Sequence, residues 1–543
     1  MNETQSQTRS VHELFRTAAE RWPERPFLQV LPETASAYGI EAREWRYGET
    51  LAAVERLADA YAAAGYHPGG RVMLLLENRP AYFLHWLALN ALGLSVVPVN
   101  PDLQSTELAY MAGHAEPVLA VATQDRIADL ENAASNAGIR FPVIGDGDPI
   151  PSLRGGQAGE HTPSAAQEAA MLYTSGTTGN PKGCVLSNTY FLHAGRWYAG
   201  AGGVCTLHDN GERMITPLPM FHMNAMAYSL MAMITVGGCL IVLDRFHPKS
   251  WWQSVRECRA TCLHYLGVMP SILMKSDAMP QDRAHTVRFG FGAGIDPKLH
   301  IGFEERFGIP LVEAWAMTET GAGAVIAANR EPRRRGESCL GRPEAAVETR
   351  IMREDGSEAS AGEPGELLVR RTGDDPRYGF FSEYYKDPKA TADAWEGGWF
   401  HTGDIVMRDS EGDFFFVDRK KNVIRRSGEN IAAVEVETVL MQHPEIRAVA
   451  AAAAPDALRG DEVLACIVTD GPRSEETART IVAWALEHMA YYKVPGYVAF
   501  LDQLPLTPTQ KIQRGELKKL VPALLDDPAT VDTRAMKKRL VPS

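Results

Sequence analysis

The sequence has few cysteines and no excess of positive charge. Its 543 residues contain 7 Cys without regular spacing, which excludes a disulfide framework and favours a reducing compartment. Cys258 and Cys262 have no second pair or nearby His to complete a metal site, so we predict that they share one face of a helix. Lys and Arg total 55 against 68 Asp and Glu, for a net charge of −13. This acidic balance argues against a nucleic-acid partner held by bulk charge, but not against a small anionic ligand bound locally.

Signals for a membrane location are also missing or interrupted. The first residues, 1–15, have no apolar core, so we predict no signal peptide. The uncharged stretch 223–243 has the length of a transmembrane helix, but Gly237 and Gly238 interrupt it and β-branched residues follow. We predict a buried helix, a glycine turn and a buried strand there, and the same pattern over 81–99. We therefore expect a soluble, cytoplasmic protein without a transmembrane segment.

What is present is a repeated alternation of apolar runs and helix-period segments, in a chain long enough for roughly three to four domain-sized units. The apolar runs are 71–76, 95–99, 118–122, 169–173, 239–243 and 286–292. Short apolar strands separated by helices predict parallel sheets that are covered on both faces. After about residue 336, shorter strands joined by Gly and Asp turns predict an antiparallel or barrel-like subdomain.

The chain beyond Lys420 changes character again. Its pattern predicts helices over 431–442 and 476–490 and strands over 447–454 and 463–469. This combination indicates a small α/β unit at the end of the chain.

The segment 174–183, TSGTTGNPKG, follows one of the apolar runs and precedes a predicted helix. Its glycines let the backbone approach a ligand, its hydroxyl and N–H groups can donate to phosphate oxygens, and Lys182 adds a cation. The spacing is not that of a Walker A loop. A flexible turn is the structural alternative, but a turn does not require this order of residues. The candidate phosphate-binding residues are Thr174, Ser175, Gly176, Thr177, Thr178, Gly179 and Lys182.

This segment resembles the phosphate-loop signature of the adenylate-forming superfamily, which contains acyl-CoA synthetases, adenylation domains of peptide synthetases and beetle luciferases. Further segments continue the resemblance in order: PLPMFH (217–222), EAWAMTET (313–320), GEPGELLVR (362–370), GWFHTGD (398–404), DRKKNVIRRSGEN (418–430) and LPLTPTQKIQR (504–514). Because they span most of the chain beyond residue 170, the chain is identified as a member. The segments 265–274, 289–298 and 313–323 most resemble crotonobetaine/carnitine-CoA ligases.

The resemblance implies an α/β fold with a β-rich subdomain, divided into two domains. Residues 1–419 are expected to form a large N-terminal domain that binds ATP and the acyl substrate. It would consist of stacked parallel and mixed sheets with helices, plus a distorted β-barrel. Residues 420–543 are expected to form a small, mobile α+β C-terminal lid with a hinge near Lys421.

Thr318 and Glu319 follow a predicted strand end, where open α/β sheets bind ligands. A carboxylate there can hold Mg²⁺, which prefers oxygen ligands and bridges phosphates. The resemblance implies that Glu319 is the magnesium ligand and that Thr318 contacts the α-phosphate. Trp315 stands where the superfamily usually has a Tyr against adenine, and indole offers a larger stacking face. An ordinary core Trp is the structural alternative.

Asp404 resembles the carboxylate that accepts both ribose hydroxyls, and its two oxygens suit a vicinal diol. A turn residue is the structural alternative for this Asp. Arg419 resembles its partner on the nucleotide, and Arg425 replaces a superfamily lysine near the nucleotide. Ser427 and Gly428 resemble the loop along which the pantetheine of CoA runs.

Lys511 carries the main mechanistic expectation. When a carboxylate attacks the α-phosphate of ATP, a cation that reaches both anions offsets their repulsion in the transition state. The resemblance implies that Lys511 is this cation. Gln510 departs from the superfamily, which usually has Gly there, and Gln allows a more restricted backbone. Outside this motif, Lys511 would be interpreted as a solvated surface lysine.

The acyl site is the least determined part. The resemblance implies that His222 lines an acyl tunnel and that Gly292, Ala293 and Gly294 form the pocket floor. A structural role is the alternative for His222. A quaternary-ammonium substrate would need a carboxylate or an aromatic cage, so a short or medium carboxylate, aliphatic or aromatic, stays open.

Together these residues predict an ATP-dependent acyl-CoA ligase. It would form acyl-AMP and pyrophosphate from a small-molecule carboxylate and ATP, and then transfer the acyl group to CoA, with Mg²⁺ as cofactor. We expect a monomer or homodimer. The alternatives are a stand-alone adenylation enzyme that loads a carrier protein, a luciferase-like oxygenase and a non-catalytic nucleotide-binding regulator.

Overall fold

The computed structural model describes most of the chain. The described residues are 9–101, 103, 105–153, 162–174, 181–419, 423–426, 429–456, 459–489, 491–507 and 511–537. The strands are, in chain order, β1 (Pro26–Val30), β2 (Arg43–Arg46), β3 (Arg71–Leu75), β4 (Ser95–Pro98), β5 (Leu119–Ala122), β6 (Val143–Gly145), β7 (Glu168–Thr174), β8 (Lys182–Ser187), β9 (Arg213–Thr216), β10 (Cys239–Val242), β11 (Cys262–Leu266), β12 (Phe289–Ala293), β13 (Leu311–Trp315), β14 (Ile326–Ala327), β15 (Cys339–Pro343), β16 (Val347–Met352), β17 (Pro364–Arg371), β18 (Glu383–Tyr384), β19 (Phe400–Arg408), β20 (Phe414–Arg419), β21 (Val423–Arg426), β22 (Glu429–Ala432), β23 (Ile446–Asp456), β24 (Gly460–Thr469), β25 (Tyr497–Phe500) and β26 (Val531–Asp532).

The helices lie between these strands. They are α1 (Val11–Arg21), α2 (Pro32–Tyr38), α3 (Tyr47–Ala63), α4 (Pro80–Ala91), α5 (Ser105–Ala115), α6 (Ile127–Asn136), α7 (Asn188–Gly200), α8 (Leu230–Val236), α9 (Trp251–Glu257), α10 (Val268–Met274), α11 (Pro297–Phe307), α12 (Pro388–Ala394), α13 (Ala433–Leu440), α14 (Glu475–His488) and α15 (Arg514–Asp526). Several begin at a side-chain cap. At α1, the Ser10 hydroxyl accepts from the Glu13 N–H at 3.1 Å and satisfies one open donor of the first turn.

One sheet of the described residues has the order β18-β8-β7-β4-β3-β5-β6. Its strands β7, β4, β3, β5 and β6 are parallel, and the centre of the sheet is buried on both faces. This arrangement follows from the apolar runs, since strands covered on both faces need no polar side.

The largest sheet continues from a parallel half into an antiparallel half. Strands β1, β10, β9, β11, β12 and β13 are parallel, with antiparallel β2 at one edge. From β13 the sheet continues antiparallel through β14, β15, β20, β19, β17 and β16. The carboxyl ends of the parallel strands meet at one edge, where ligands bind in open α/β sheets.

Helices α1, α4, α7 and α8 connect these two sheets through one apolar core. The core contains side chains of both sheets together with residues of each of these helices. The stretches 223–243 and 81–99 both fold as predicted, each as a buried helix, a turn and a buried strand. At the turn after α8, Gly237 has a φ of +66°, which favours glycine.

Two details of the sequence prediction are wrong. The shorter strands after residue 336 are antiparallel, but in the described ranges they form no closed barrel, because β15 pairs with β14 and extends the large sheet. Cys258 and Cys262 do not share a helix face. Cys258 follows the end of α9, and Cys262 begins β11.

The C-terminal unit has its own sheet, in the order β22-β21-β24-β25-β26 with β23 paired to β24. Helices α13, α14 and α15 accompany it, so the predicted pattern of helices and strands is confirmed. The α/β fold class is confirmed as well. Lys421, the predicted hinge, lies outside the described residues, and the domain boundary stays a prediction.

Where the structure describes the chain, none of its helices combines the length and the apolar character that crossing a membrane requires.

Candidate active site

The predicted acyl-pocket floor lies at the carboxyl end of β12. Gly292 is buried, whereas Ala293 and Gly294 are exposed. Gly294 has a φ of +80°, a left-handed conformation that favours glycine. Its N–H donates to Oε2 of Glu313 on the neighbouring strand β13 at 2.9 Å. The floor is therefore a turn that a buried side chain of the next strand holds in place.

Trp315 and Asp404 lie together although they are far apart in sequence. The indole Nε1–H donates to Oδ2 of Asp404 at 2.8 Å, and both side chains are buried. Asp404 on β19 is opposite Arg419 on β20 in the strand register. The register thus places the two residues predicted for the ribose side by side, with the residue predicted for adenine against one of them.

Glu319 lies in a second buried group. The Tyr384 hydroxyl donates to its Oε1 at 2.9 Å, and Nζ of Lys182 lies 4.6 Å from the centre of the Tyr384 ring. Lys182 and Thr174 are opposite each other where β7 pairs with β8. The structure therefore brings Glu319 together with both described ends of the predicted phosphate loop. The backbone oxygen of Thr318 accepts from the Tyr190 hydroxyl at 2.9 Å.

Lys511 acts electrostatically on His222, although the two residues belong to different parts of the fold. Burial and the Lys511 ammonium group lower the pKa of His222 to about 4. In its own loop, the Lys511 N–H donates to Oγ1 of Thr507 at 3.1 Å, and the Thr507 N–H donates to the Lys511 oxygen at 2.7 Å. Lys511 is therefore a residue of the C-terminal unit whose charge is felt in the segment PLPMFH of the N-terminal part.

Some predicted site residues lie outside the described residues. They are Ser175, Gly176, Thr177, Thr178, Gly179, Ser427 and Gly428, and the side chains of Arg419 and Arg425. Their roles stay predictions.

Sequence analysis assigned no role to Tyr384 or Glu313, and it named Tyr265 only as an aromatic available to an acyl pocket, without a position. In the structure, Tyr384 contacts Glu319, Glu313 holds Gly294, and Tyr265 contacts Glu313. Tyr384 belongs to the short edge strand β18, which pairs with β8. Glu313 stands inside a quoted motif, but its position before the Trp gave no indication of what it contacts. Tyr384 follows Glu383 in a segment outside the quoted motifs, and Tyr265 opens one of the quoted segments, but neither position indicated what the hydroxyl contacts.

Comparisons with known proteins identify the family. Residues 15–385 match the family described as AMP-binding enzyme, and residues 435–511 match the AMP-binding enzyme C-terminal domain. The chain therefore belongs to the AMP-binding enzyme family, which is the adenylate-forming superfamily that the motifs indicated.

Two characterised relatives are similar over nearly their whole length. The crotonobetaine/carnitine–CoA ligase of Citrobacter koseri is 31% identical over 499 residues, which cover 89% of this chain and 94% of the relative. The sulfoacetate–CoA ligase of Cupriavidus necator is 31% identical over 517 residues, which cover 93% and 96%.

The fold is also that of solved structures. The o-succinylbenzoate CoA synthetase of Bacillus subtilis, in complex with its acyl-adenylate intermediate, has a TM-score of 0.79 at 24% identity, covering 93% of this chain and 97% of that chain. The same enzyme in complex with ATP and a magnesium ion has a TM-score of 0.77 at 23% identity, with coverage of 93% and 99%.

Proposed function

We propose that this chain is an ATP-dependent acyl-CoA ligase, which converts a carboxylic acid, ATP and CoA into acyl-CoA, AMP and pyrophosphate. The observation that carries the proposal is the meeting of Trp315 and Asp404, two buried side chains predicted for the nucleotide, which a 2.8 Å hydrogen bond joins across 89 positions of sequence. The ammonium group of Lys511, on the C-terminal unit, also acts electrostatically on His222 of the N-terminal part. The names of both relatives above, each an acid–CoA ligase, support the same class.

In the first half-reaction, a carboxylate oxygen attacks the α-phosphorus of ATP and pyrophosphate leaves. Lys511 offsets the repulsion between the two anions as they approach. Asp404 accepts hydrogen bonds from the ribose hydroxyls, and the hydrogen bond that it accepts from Trp315 orients its carboxylate for that task. Arg419 is its partner on the nucleotide. Thr174, Lys182 and Thr318 contact the phosphates.

Glu319 suits a magnesium ion that is shared with the nucleotide. Its carboxylate is buried and one of its oxygens is already oriented by the Tyr384 hydroxyl. Mg²⁺ prefers oxygen ligands and is usually bound by one or two carboxylates together with substrate phosphates. When bound, the ion would neutralise phosphate charge, while the chain's own contribution is to hold and orient the carboxylate of Glu319.

In the second half-reaction, the CoA thiolate attacks the acyl carbon of the adenylate and AMP leaves. We propose that residues 420–543 rotate as a lid about Lys421, which withdraws Lys511 and presents Ser427 and Gly428 to CoA. All seven cysteines are buried free thiols, which fits a cytoplasmic, reducing compartment.

The carboxylic acid substrate can be identified by measuring AMP formation with a panel of acids. The relatives act on acids of opposite side-chain charge, a quaternary ammonium and a sulfonate, so the panel should contain crotonobetaine, carnitine, sulfoacetate, o-succinylbenzoate, benzoate, butyrate and octanoate. We expect AMP formation that requires both an acid and CoA. AMP formation that needs the acid but is indifferent to CoA would contradict the ligase and favour loading of a carrier protein.

A further inference from the structure

Three residues lie in register across the neighbouring parallel strands β11, β12 and β13. Tyr265 is opposite Gly292, and Gly292 is opposite Glu313. The Tyr265 side chain crosses the middle strand, and its hydroxyl donates to Oε1 of Glu313 at 2.6 Å. A Cβ atom on Gly292 would lie 2.8 Å from the Tyr265 ring and 2.2 Å from the backbone carbonyl oxygen of Tyr265. The crossing therefore requires glycine in the middle strand.

The carboxylate of Glu313 also holds the turn after β12. Its Oε2 accepts from the Gly294 N–H at 2.9 Å, and its Oε1 accepts from the Ile295 N–H at 3.1 Å. Three donors thus satisfy a side chain that is buried, in agreement with the rule that buried charges need partners. Burial raises the pKa of Glu313, and the three hydrogen bonds oppose that rise.

A second close approach leaves the turn little freedom. The Gly267 N–H donates to the backbone oxygen of Ala293 at 2.9 Å. A Cβ atom on Gly267 would lie only 1.6 Å from the backbone oxygen of Gly294, so the loop after β11 approaches the turn closely. The turn is therefore clamped between the loop after β11 and the side chain of Glu313. Its outer surface, at Ala293 and Gly294, is exposed.

Strand β13 connects this turn to the nucleotide side of the site. Glu313 and Trp315 are two residues apart on the strand, so their side chains lie on the same face. Trp315 donates a hydrogen bond to Asp404, and Glu313 accepts a hydrogen bond from Gly294 of the pocket floor. One strand face therefore sets the distance between the two halves of the site.

We propose that Glu313, oriented by Tyr265, is a positioning residue that fixes the acyl-pocket floor relative to the nucleotide site and so determines how tightly the carboxylic acid is bound. This inference rests on the proposed function. It assigns to Glu313 an action through Gly294 and Ile295, not a contact with the reacting atoms.

The test is Glu313→Gln. In the glutamine, one carboxylate oxygen is replaced by an NH₂ group, which cannot accept a hydrogen bond. The N–H of either Gly294 or Ile295 then faces this NH₂ group, so at least one hydrogen bond to the floor is lost. With the most active acid of the panel, we expect the KM for the acid to rise about tenfold, while the KM for ATP changes less than about twofold. Tyr265→Phe, which removes only the hydroxyl, should raise the KM for the acid in the same direction but by less.

Glu304→Gln is the matched control. Its carboxylate is also buried and accepts from the Leu311 N–H at the start of β13, but it pairs with Arg333 and does not contact the floor. We expect this variant to lower the unfolding temperature and to leave the KM for the acid unchanged.

Hydrogen exchange of the segment 289–298 gives a second measurement that needs no substrate. The amides of Gly294 and Ile295 should exchange faster in Glu313→Gln than in the wild type, and at the wild-type rate in Glu304→Gln. Unchanged exchange, or an equal rise of the KM values for acid and ATP, would overturn the inference. A wild-type protein that forms no AMP with any acid would instead overturn the proposed function, and the exchange result would still decide the role of Glu313.

Discussion

The nucleotide side of the site and Lys511 differ in how the fold holds them. Trp315 and Asp404 are buried side chains on strands, and their hydrogen bond joins residues that are 89 positions apart. Lys511 is exposed and sits in a loop closed by bonds to Thr507. With the roles proposed above, the comparison predicts a division of labour: the groups for nucleotide recognition are built into the sheet, whereas the group for the chemistry is delivered from outside it.

This division has a physical reason. A recognition group gains from a rigid, desolvated position, because preorganised hydrogen bonds need no rearrangement when the ligand arrives. A cation required in only one of two half-reactions must be able to leave, and a loop on a separate unit can be moved without disturbing a packed core. The following predictions test each side of the comparison: three effects on rate, from the largest to the smallest, and then one effect on stability.

Lys511→Ala tests the delivered group. We expect adenylate formation to fall about 10²- to 10³-fold, the loss typical of one transition-state donor. Thioester formation from supplied acyl-adenylate should be nearly unchanged, because the lysine is withdrawn in that step. Single-turnover measurements of each half-reaction check this. Lys519→Ala, which removes an exposed lysine paired with Glu516 on the same unit, serves as the control, and equal losses in both half-reactions would refute the assignment.

Asp404→Asn tests the built-in group. The amide oxygen can still accept from Trp315, but the charge that strengthens bonds from the ribose hydroxyls is gone. Charge-assisted hydrogen bonds contribute about 1.5–3 kcal/mol, so kcat/KM for ATP should fall roughly 10- to 100-fold. Asp413→Asn, at an exposed ion pair with Arg342, should leave it unchanged. An unaltered ATP dependence in Asp404→Asn would remove Asp404 from the nucleotide site.

Tyr384→Phe tests the support of Glu319. Losing one hydrogen bond of about 0.5–1.5 kcal/mol should lower kcat/KM roughly 3- to 10-fold and raise the Mg²⁺ concentration needed for half-maximal rate. Tyr385→Phe is the neighbouring control, because its hydroxyl contacts Glu116 and not Glu319. If both variants respond alike to Mg²⁺, Tyr384 does not orient the metal ligand.

The last effect is on stability and not on rate, and it concerns His222, whose pKa the Lys511 ammonium group helps to lower. Because its pKa in the folded chain is about 4 against an ordinary 6.5, its folded form resists protonation. The free energy of unfolding should therefore fall as pH decreases from about 6.5 toward 4. Over that range, the fall should be smaller in His222→Asn than in the wild type, by up to roughly 3 kcal/mol. Urea unfolding at both pH values measures this, with the exposed His67→Asn as control. Parallel stability curves for all three proteins would contradict it.

Much of the fold was predictable from local pattern. Apolar runs such as 71–76 and 239–243 became buried strands, because a strand covered on both faces needs continuous hydrophobicity. The antiparallel pairing after residue 336 was predicted as well, but the predicted closure into a barrel was wrong. Whether β15 pairs with β14 or closes a barrel depends on which edge is available, and no short segment encodes that.

The candidate site divides in the same way. Motifs located Glu319, Asp404, Trp315 and Lys511, since each stands in an ordered segment with its own chemistry. Tyr384 and the crossing of Tyr265 over Gly292 were not predictable, because they depend on strand register, and a shift by one residue would reverse the side chains.

The order of the motifs, the alternation of strands and helices and the choice of chemically suited residues were determined by the sequence alone, because each depends on neighbours along the chain. The contacts from Trp315 to Asp404 and from Tyr384 to Glu319, and the electrostatic effect of Lys511 on His222, were decided only by the tertiary structure. They join residues distant in sequence, and such contacts form only once sheet register and packing bring those residues together.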